Sequence, residues 1–193
     1  MLAAADVLYR NGYDATTMKD IAGQVNLTAA SLYHHFRNKD TLLLAVLERG
    51  LEKGYSYVEP VACDSALTPA EKLRKMITLH IISITSNPTV GAAMVFEIRS
   101  LLDLRNDTSG DDDFNISRDN IFALRDKFEA MFRQTVREGI ECGDFRAVDA
   151  AIFTKMMLGA QNWVGVWYKE GGRLSGDDIA TMMADNFLMA LRI

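Results

Sequence analysis

Apolar residues in this chain recur at three- and four-residue spacing, and no segment alternates with the two-residue period of a half-buried strand. Only three prolines and 13 glycines interrupt 193 residues, so long stretches are free of helix breakers. The pattern predicts an all-α fold of about nine helices. At 49% hydrophobic and 24% charged residues the chain is neither disordered nor collagen-like. A compact fold of this length buries about 70% of its unfolded surface, which is core enough without disulfides.

Four short helices are expected within residues 1–50. The first carries Leu2, Ala5, Leu8 and Tyr9 and stops at Gly12, a left-handed C-cap. The second opens at Thr17 with Asp20 as its capping-box partner, and its apolar face is Met18, Ile21, Ala22 and Val25. Thr28 caps a third helix holding Leu32 and Phe36. A fourth runs from Lys39 or Asp40 to about Tyr55, with Leu42, Leu43, Val46 and Leu47 inward.

A loose stretch over 60–66 precedes Thr68-Pro69-Ala70-Glu71, which combines a cap, a proline at the first helical position and a reciprocal glutamate. That helix is expected to reach Ser86, and the next to run from Pro88 to Arg105. Asn106–Asp113 reads as a polar surface loop. Further helices are expected over Ser117–Cys142, ended by Gly143, over Asp149–Lys169, and over Ser175–Leu191 after the Gly171-Gly172 break.

Several function classes find no support. There is no Gly-rich phosphate loop, no G-x-S-x-G and no H-E-x-x-H, so no enzyme constellation is expected. His34 and His35 project about 100° apart on a helix and have no Cys, Asp or Glu at ligand spacing, and Asp111–Asp113 lacks the layout of a calcium loop. No metal and no cofactor are expected. His80 is a lone histidine on an amphipathic helix, expected to be satisfied or half-exposed. Cys63 and Cys142 form no C-x-x-C pair and read as reduced thiols of a cytoplasmic protein. The N-terminal residues are interrupted too early by Asp6 and Arg10 for a signal peptide. Lys155, Gln161 and Asn162 make 150–167 a buried helix rather than a membrane span.

The net charge of −5 and pI near 5.2 argue at first against a nucleic-acid partner. Residues 1–50, however, hold five basic and five acidic side chains, so all the excess acid lies in 51–193. A neutral first region with a helix–turn–helix can bind DNA through placed contacts, with modest affinity and a shallow salt slope. Ala22 is small where the second and third helices cross, and Leu32 and Phe36 bury the back of the third. Thr28, Ala29, Ser31, Tyr33 and His34 remain on other faces, available to a duplex. Thr17 and Lys19, with Lys39 at the start of the fourth helix, suit phosphate contacts.

The runs Thr16-Thr17-Met18-Lys19-Asp20-Ile21-Ala22, Leu27-Thr28-Ala29-Ala30-Ser31-Leu32-Tyr33-His34-His35-Phe36 and Lys39-Asp40-Thr41-Leu42-Leu43 closely resemble the TetR family of transcriptional regulators. The resemblance implies an all-helical homodimer. Residues 1–50 would bind double-stranded operator DNA, and residues 51–193 would hold an effector pocket and the dimer interface. Two positions depart from the family pattern. Asn26 stands where the family usually has glycine, and asparagine tolerates the left-handed conformation. Ala29 stands where Lys or Arg is frequent, so Ala29 or Ala30 is expected to touch a thymine methyl instead. The basic arm that often precedes the first helix is expected to be missing, which weakens binding.

On the effector side, eight of ten Met, eight of nine Phe and both Trp lie beyond residue 50. They suit either a plain bundle core or a pocket for an apolar or amphipathic ligand. Pocket candidates are Met94, Glu97, Phe128, Met131, Phe132, Met156 and Trp163. Residues 162–191 are similar to a branch of TetR-like regulators that control fatty-acid, aromatic-acid or steroid breakdown. Several of these sense acyl-CoA thioesters, which implies an acyl tail in the Met/Phe interior and phosphates near Arg99 or Arg125.

The helices over 149–169 and 175–191 carry more apolar surface than one domain covers, and Gly159, Ala160 and Gly165 permit close approach, so they are the expected homodimer interface. Trp167 and Tyr168 fit the interface as well as the pocket. The leading expectation is a repressor released from operator DNA by a small effector. The alternatives are a redox-sensing regulator acting through Cys142 and a helical ligand-binding protein without DNA function.

Overall fold

The computed structural model describes residues 2–96 and 112–193, and among them it contains nine helices and no strand. In chain order these are α1 (Leu2–Asn11), α2 (Met18–Gln24), α3 (Ala29–His35), α4 (Lys39–Ala62), α5 (Pro69–Thr85), α6 (Pro88–Phe96), α7 (Asp112–Glu141), α8 (Ala150–Trp167) and α9 (Gly176–Ala190).

Most boundaries follow from local chemistry. Gly12 ends α1 at φ 75°, and Asn26 takes φ 55° in the turn between α2 and α3. Thr17, Asn38, Thr68 and Ser175 each close a capping box with the residue three places on. In each box a side-chain oxygen accepts an otherwise unpaired backbone N–H of the first turn.

Three boundaries differ from expectation. α4 runs to Ala62 rather than Tyr55, with Pro60 in its last turn. Val58 is fully buried and Val61 packs on the same core, so tertiary packing outweighs the hydrogen bond that proline cannot make. α7 starts at Asp112, so the end of the expected loop is helical; acids are favourable at a helix N-terminus. Val25 is the exposed C-cap of α2 and not part of its buried face, because the helix ends one residue earlier. The remainder of that loop and the expected end of the Pro88 helix lie outside the described residues.

The core is layered along α4. At its start, Leu42 and Val46 join Ala4, Ala5, Met18, Ile21, Ala22 and Leu32 in a small head built from α1 to α4. Leu43, Leu44 and Leu47 face Leu8, Ala93 and Ile121, which ties the head to α6 and α7. Val58 then enters the main core of α5, α7, α8 and α9, where Met76, Ile77, Phe132 and Met157 are fully buried. One helix therefore runs from the head into the body. α6 and α8 cross so closely that a Cβ on Gly165 would lie 2.9 Å from the Gly91 carbonyl carbon. This corrects the expectation for Gly165: it is buried, and its close approach is to α6 within the chain. No helix of the described residues is long and apolar enough to cross a membrane.

Candidate functional site

The helix–turn–helix presents one polar face. Leu32 is buried on the inner side of α3 while Tyr33, at 54% exposure, His34 and Ala30 are exposed and Ala29 and Ser31 are half-buried. Thr28 caps α3, accepting from the Ser31 backbone N–H at 3.2 Å and lying 3.0 Å from its hydroxyl. Thr17 and Lys19 are exposed at the start of α2. Lys39 is the exception among the expected phosphate ligands. Its ammonium donates to the Tyr13 carbonyl at 2.6 Å and stands 4.0 Å over the Tyr13 ring. Much of its hydrogen-bonding capacity is thus spent on joining α4 to the end of α1, and no local pattern signals a partner 26 residues away.

Behind the head lies a cavity of about 870 Å³, walled by α4, α5, α6, α7 and α8. Its apolar wall includes Val46, Ile84, Phe128 and Leu158, and four cations line it: Arg49, Lys53, Arg125 and Lys155. Two acids accompany them, Asp126 and Glu129. Glu129 accepts from Lys155 at 3.0 Å and from Arg133 at 2.9 Å.

Of the residues expected to form a pocket, Phe128 and Trp163 line this cavity. Met131 and Phe132 do not: Phe132 is fully buried in the main core, and Met131 packs against that core. Met156 does not either; it faces outward on α8 at 63% exposure. These are all apolar helical positions, and only the neighbours a helix meets separate core, cavity and outer face. The side chain of Met94, and Glu97 and Arg99 entirely, lie outside the described residues. Arg49 and Lys53 were not anticipated, although with Val46, Gly50 and Gly54 they share one helical stripe.

His80 lines the cavity from α5 and is itself buried, in register with Leu73, Ile77 and Ile84. Its Nδ1 lies 3.0 Å from Oε1 of Gln161, and its ring meets Phe128 edge-on at 5.0 Å. Burial pushes its pKa down to about 4, while the Gln161 bond works the other way. In the unfolded chain the same ring titrates near 6.5, so between these values the unfolded state binds the extra proton. The ring's contribution is complete above about pH 6.5 and is lost as pH falls towards 4, about 3 kcal/mol in all. Urea unfolding at pH 7 and at pH 4.5 should show a larger loss for the wild type than for His80→Phe; equal losses would refute the assignment.

Comparison with known proteins agrees with this architecture at both ends. Residues 1–46 match the profile described as bacterial regulatory proteins, tetR family, and residues 115–191 match the tetracyclin repressor-like C-terminal domain. The HTH-type transcriptional repressor KstR2 of Mycolicibacterium smegmatis is 28% identical over 177 residues, covering 91% of this chain and 80% of that protein. The crystal structure of PfmR, a TetR family regulator from Thermus thermophilus, has a TM-score of 0.82 at 27% identity, covering 100% of this chain and 98% of that one. AibR, crystallised with isovaleryl coenzyme A and operator DNA, has a TM-score of 0.75 at 28% identity, covering 98% of this chain and 94% of its own. With head and body each matching in the order the fold places them, this chain belongs to the TetR family of transcriptional regulators.

Proposed function

We propose that this ligand-responsive DNA-binding repressor acts as a homodimer, released from its operator when an amphipathic acyl compound, such as an acyl-CoA thioester, fills the cavity. One observation carries the reading: α4 supplies Arg49, Gly50, Lys53 and Gly54 to the cavity and Leu42 and Val46 to the core of the head. A ligand that shifts α4 therefore shifts the helix–turn–helix. It does so only by the difference in its affinity for the two arrangements.

The lining suits an acyl-CoA. Hydrocarbon meets Val46, Ile84, Phe128 and Leu158, and phosphates meet Arg49, Lys53, Arg125 and Lys155. The similarity to AibR, solved with an acyl-CoA and operator DNA, supports the same reading, and the similarity to KstR2 supports repression. Residues 1–50 form the DNA-binding domain and residues 51–193 the effector and dimer domain of a cytoplasmic protein. Thr17, Lys19, Thr28, Ala29, Ala30, Ser31, Tyr33 and His34 face the duplex, with Lys39 contributing through whatever capacity its bonds to α1 leave. In the dimer two α3 helices would sit in successive major grooves, about 34–36 Å apart.

Gel shifts on the DNA upstream of the protein's own gene test this. A salt-sensitive complex should form, weaken about 10- to 100-fold in Tyr33→Ala at unchanged melting temperature, and dissociate on addition of acyl-CoA. A Tyr33→Ala protein that binds like the wild type would remove Tyr33 from the interface, and no complex at low ionic strength would end the repressor reading.

A further inference from the structure

Among the residues lining the cavity, His80 is buried and is paired with Gln161, which does not itself line the cavity. His80 comes from α5 and Gln161 from α8, 81 residues apart in the chain, and both are buried. Their hydrogen-bonding roles can be worked out. The amide oxygen of Gln161 can only accept, so Nδ1 of His80 carries the proton and donates to it across 3.0 Å. In a neutral imidazole the other nitrogen, Nε2, is then an acceptor. The ring stays neutral at physiological pH because burial opposes its protonation.

The second half of the pair is also incomplete. Nε2 of the Gln161 amide is buried without a hydrogen-bond partner among the described residues. Buried amide donors are nearly always paired, and an unpaired one calls for an explanation such as water, an ion or a ligand. The pairing leaves the free acceptor on the ring that lines the cavity, whereas the spare amide donor is buried away from the cavity lining.

We propose that His80, held in one tautomer by Gln161, is a polar subsite for a hydroxyl group on the hydrophobic part of the effector, so that the protein distinguishes hydroxylated acyl ligands from plain ones. The ligand hydroxyl donates to Nε2 of His80. A bare alkyl chain leaves this acceptor unmet. A carboxylate has no proton to offer and would place a negative charge against a neutral acceptor in a buried setting. Gln161 is a positioning residue here, since it sets the tautomer that makes Nε2 an acceptor. The inference rests on the cavity being the effector site, and deepens that reading by naming the class of ligand.

Isothermal titration of the full-length protein with hexanoyl-CoA, the positional isomers of hydroxyhexanoyl-CoA, and adipoyl-CoA tests it, with free hexanoate and its hydroxy acids as a second arm. The same set built on cyclohexanecarbonyl-CoA covers a bulkier ligand. At least one hydroxylated ester should bind about 10-fold more tightly than its parent, and adipoyl-CoA should bind no better than hexanoyl-CoA.

In His80→Phe the preference should vanish, so that the hydroxylated esters bind no more tightly than hexanoyl-CoA. Gln161→Met, which releases the tautomer, should lose most of the preference and serves if His80→Phe does not fold. Parent esters that bind as tightly as every hydroxylated isomer, or a preference that survives in His80→Phe, overturn the proposal. Hydroxy acids that bind selectively while no CoA ester binds leave the subsite standing and overturn the thioester reading. Absence of binding by every compound overturns both.

Discussion

Gly165→Val is expected to cost the fold about 3 kcal/mol and to lower its melting temperature by roughly 6–12 °C. A Cβ at this position would stand 2.9 Å from the Gly91 carbonyl carbon, 3.1 Å from the Ala92 nitrogen and 3.2 Å from the Gly91 Cα. All three are backbone atoms, so no rotamer change relieves the clash and α6 must move as a body. α6 also carries Ala93, which packs with Leu8, Leu43 and Leu47 beneath the head. Operator affinity should therefore fall as well, even at temperatures where the protein remains folded. Gly23→Ala is the matching control, because nothing lies within 4 Å of its new methyl group and its stability should stay within about 1 kcal/mol of wild type. Thermal unfolding of the two variants side by side settles the matter: a Gly165→Val protein that melts with the wild type would mean the α6–α8 crossing is not as close as described.

The double variant Met156→Glu, Met189→Glu is expected to be a folded monomer that binds operator at least about 100-fold more weakly. Ile152, Met156 and Trp167 form one outward stripe on α8, and Met182, Met189 and Ile193 form another on and beyond α9. Met156 and Met189 are 63% and 68% exposed, and such outward apolar stripes are what a second molecule would cover. Two-fold pairing of both stripes would bury them in an isologous four-helix contact. Because both side chains already face outward, carboxylates there leave the core of the subunit intact and act only on association. Sedimentation at matched concentration reads the mass, and gel shifts read the affinity. A double variant that sediments like the wild type would place the interface elsewhere.

The helix ends were legible because their determinants lie within four residues of one another. Thr17 with Asp20 and Thr68 with Glu71 announce their capping boxes in the sequence, and the structure forms both. Asn26 is similar: asparagine tolerates a positive φ, and the turn between α2 and α3 uses that tolerance. Pro60 misled for the opposite reason. A local rule against proline in helices yielded to Val58 and Val61, whose burial depends on other helices.

The cavity was less legible. Phe128, Phe132 and Met156 are equally apolar on equally periodic helices, yet one lines the cavity, one is sealed in the core and one faces outward. Periodicity marks which residues share a face of a helix but carries no information about what that face meets. Lys39 shows the same limit for a charged residue, since its place over Tyr13 is a tertiary contact.

Local chemistry was therefore enough to specify an all-helical chain, its caps and turns, and a helix–turn–helix with Tyr33 and His34 facing outward, because these features are set by backbone hydrogen bonds and side-chain direction over a turn or two. Packing alone decided that Gly165 admits α6, that α4 links the head to the cavity, and that His80 meets Gln161 across 81 residues of sequence. Those contacts join groups far apart in the chain, and no pattern along it records which distant surfaces will close on each other.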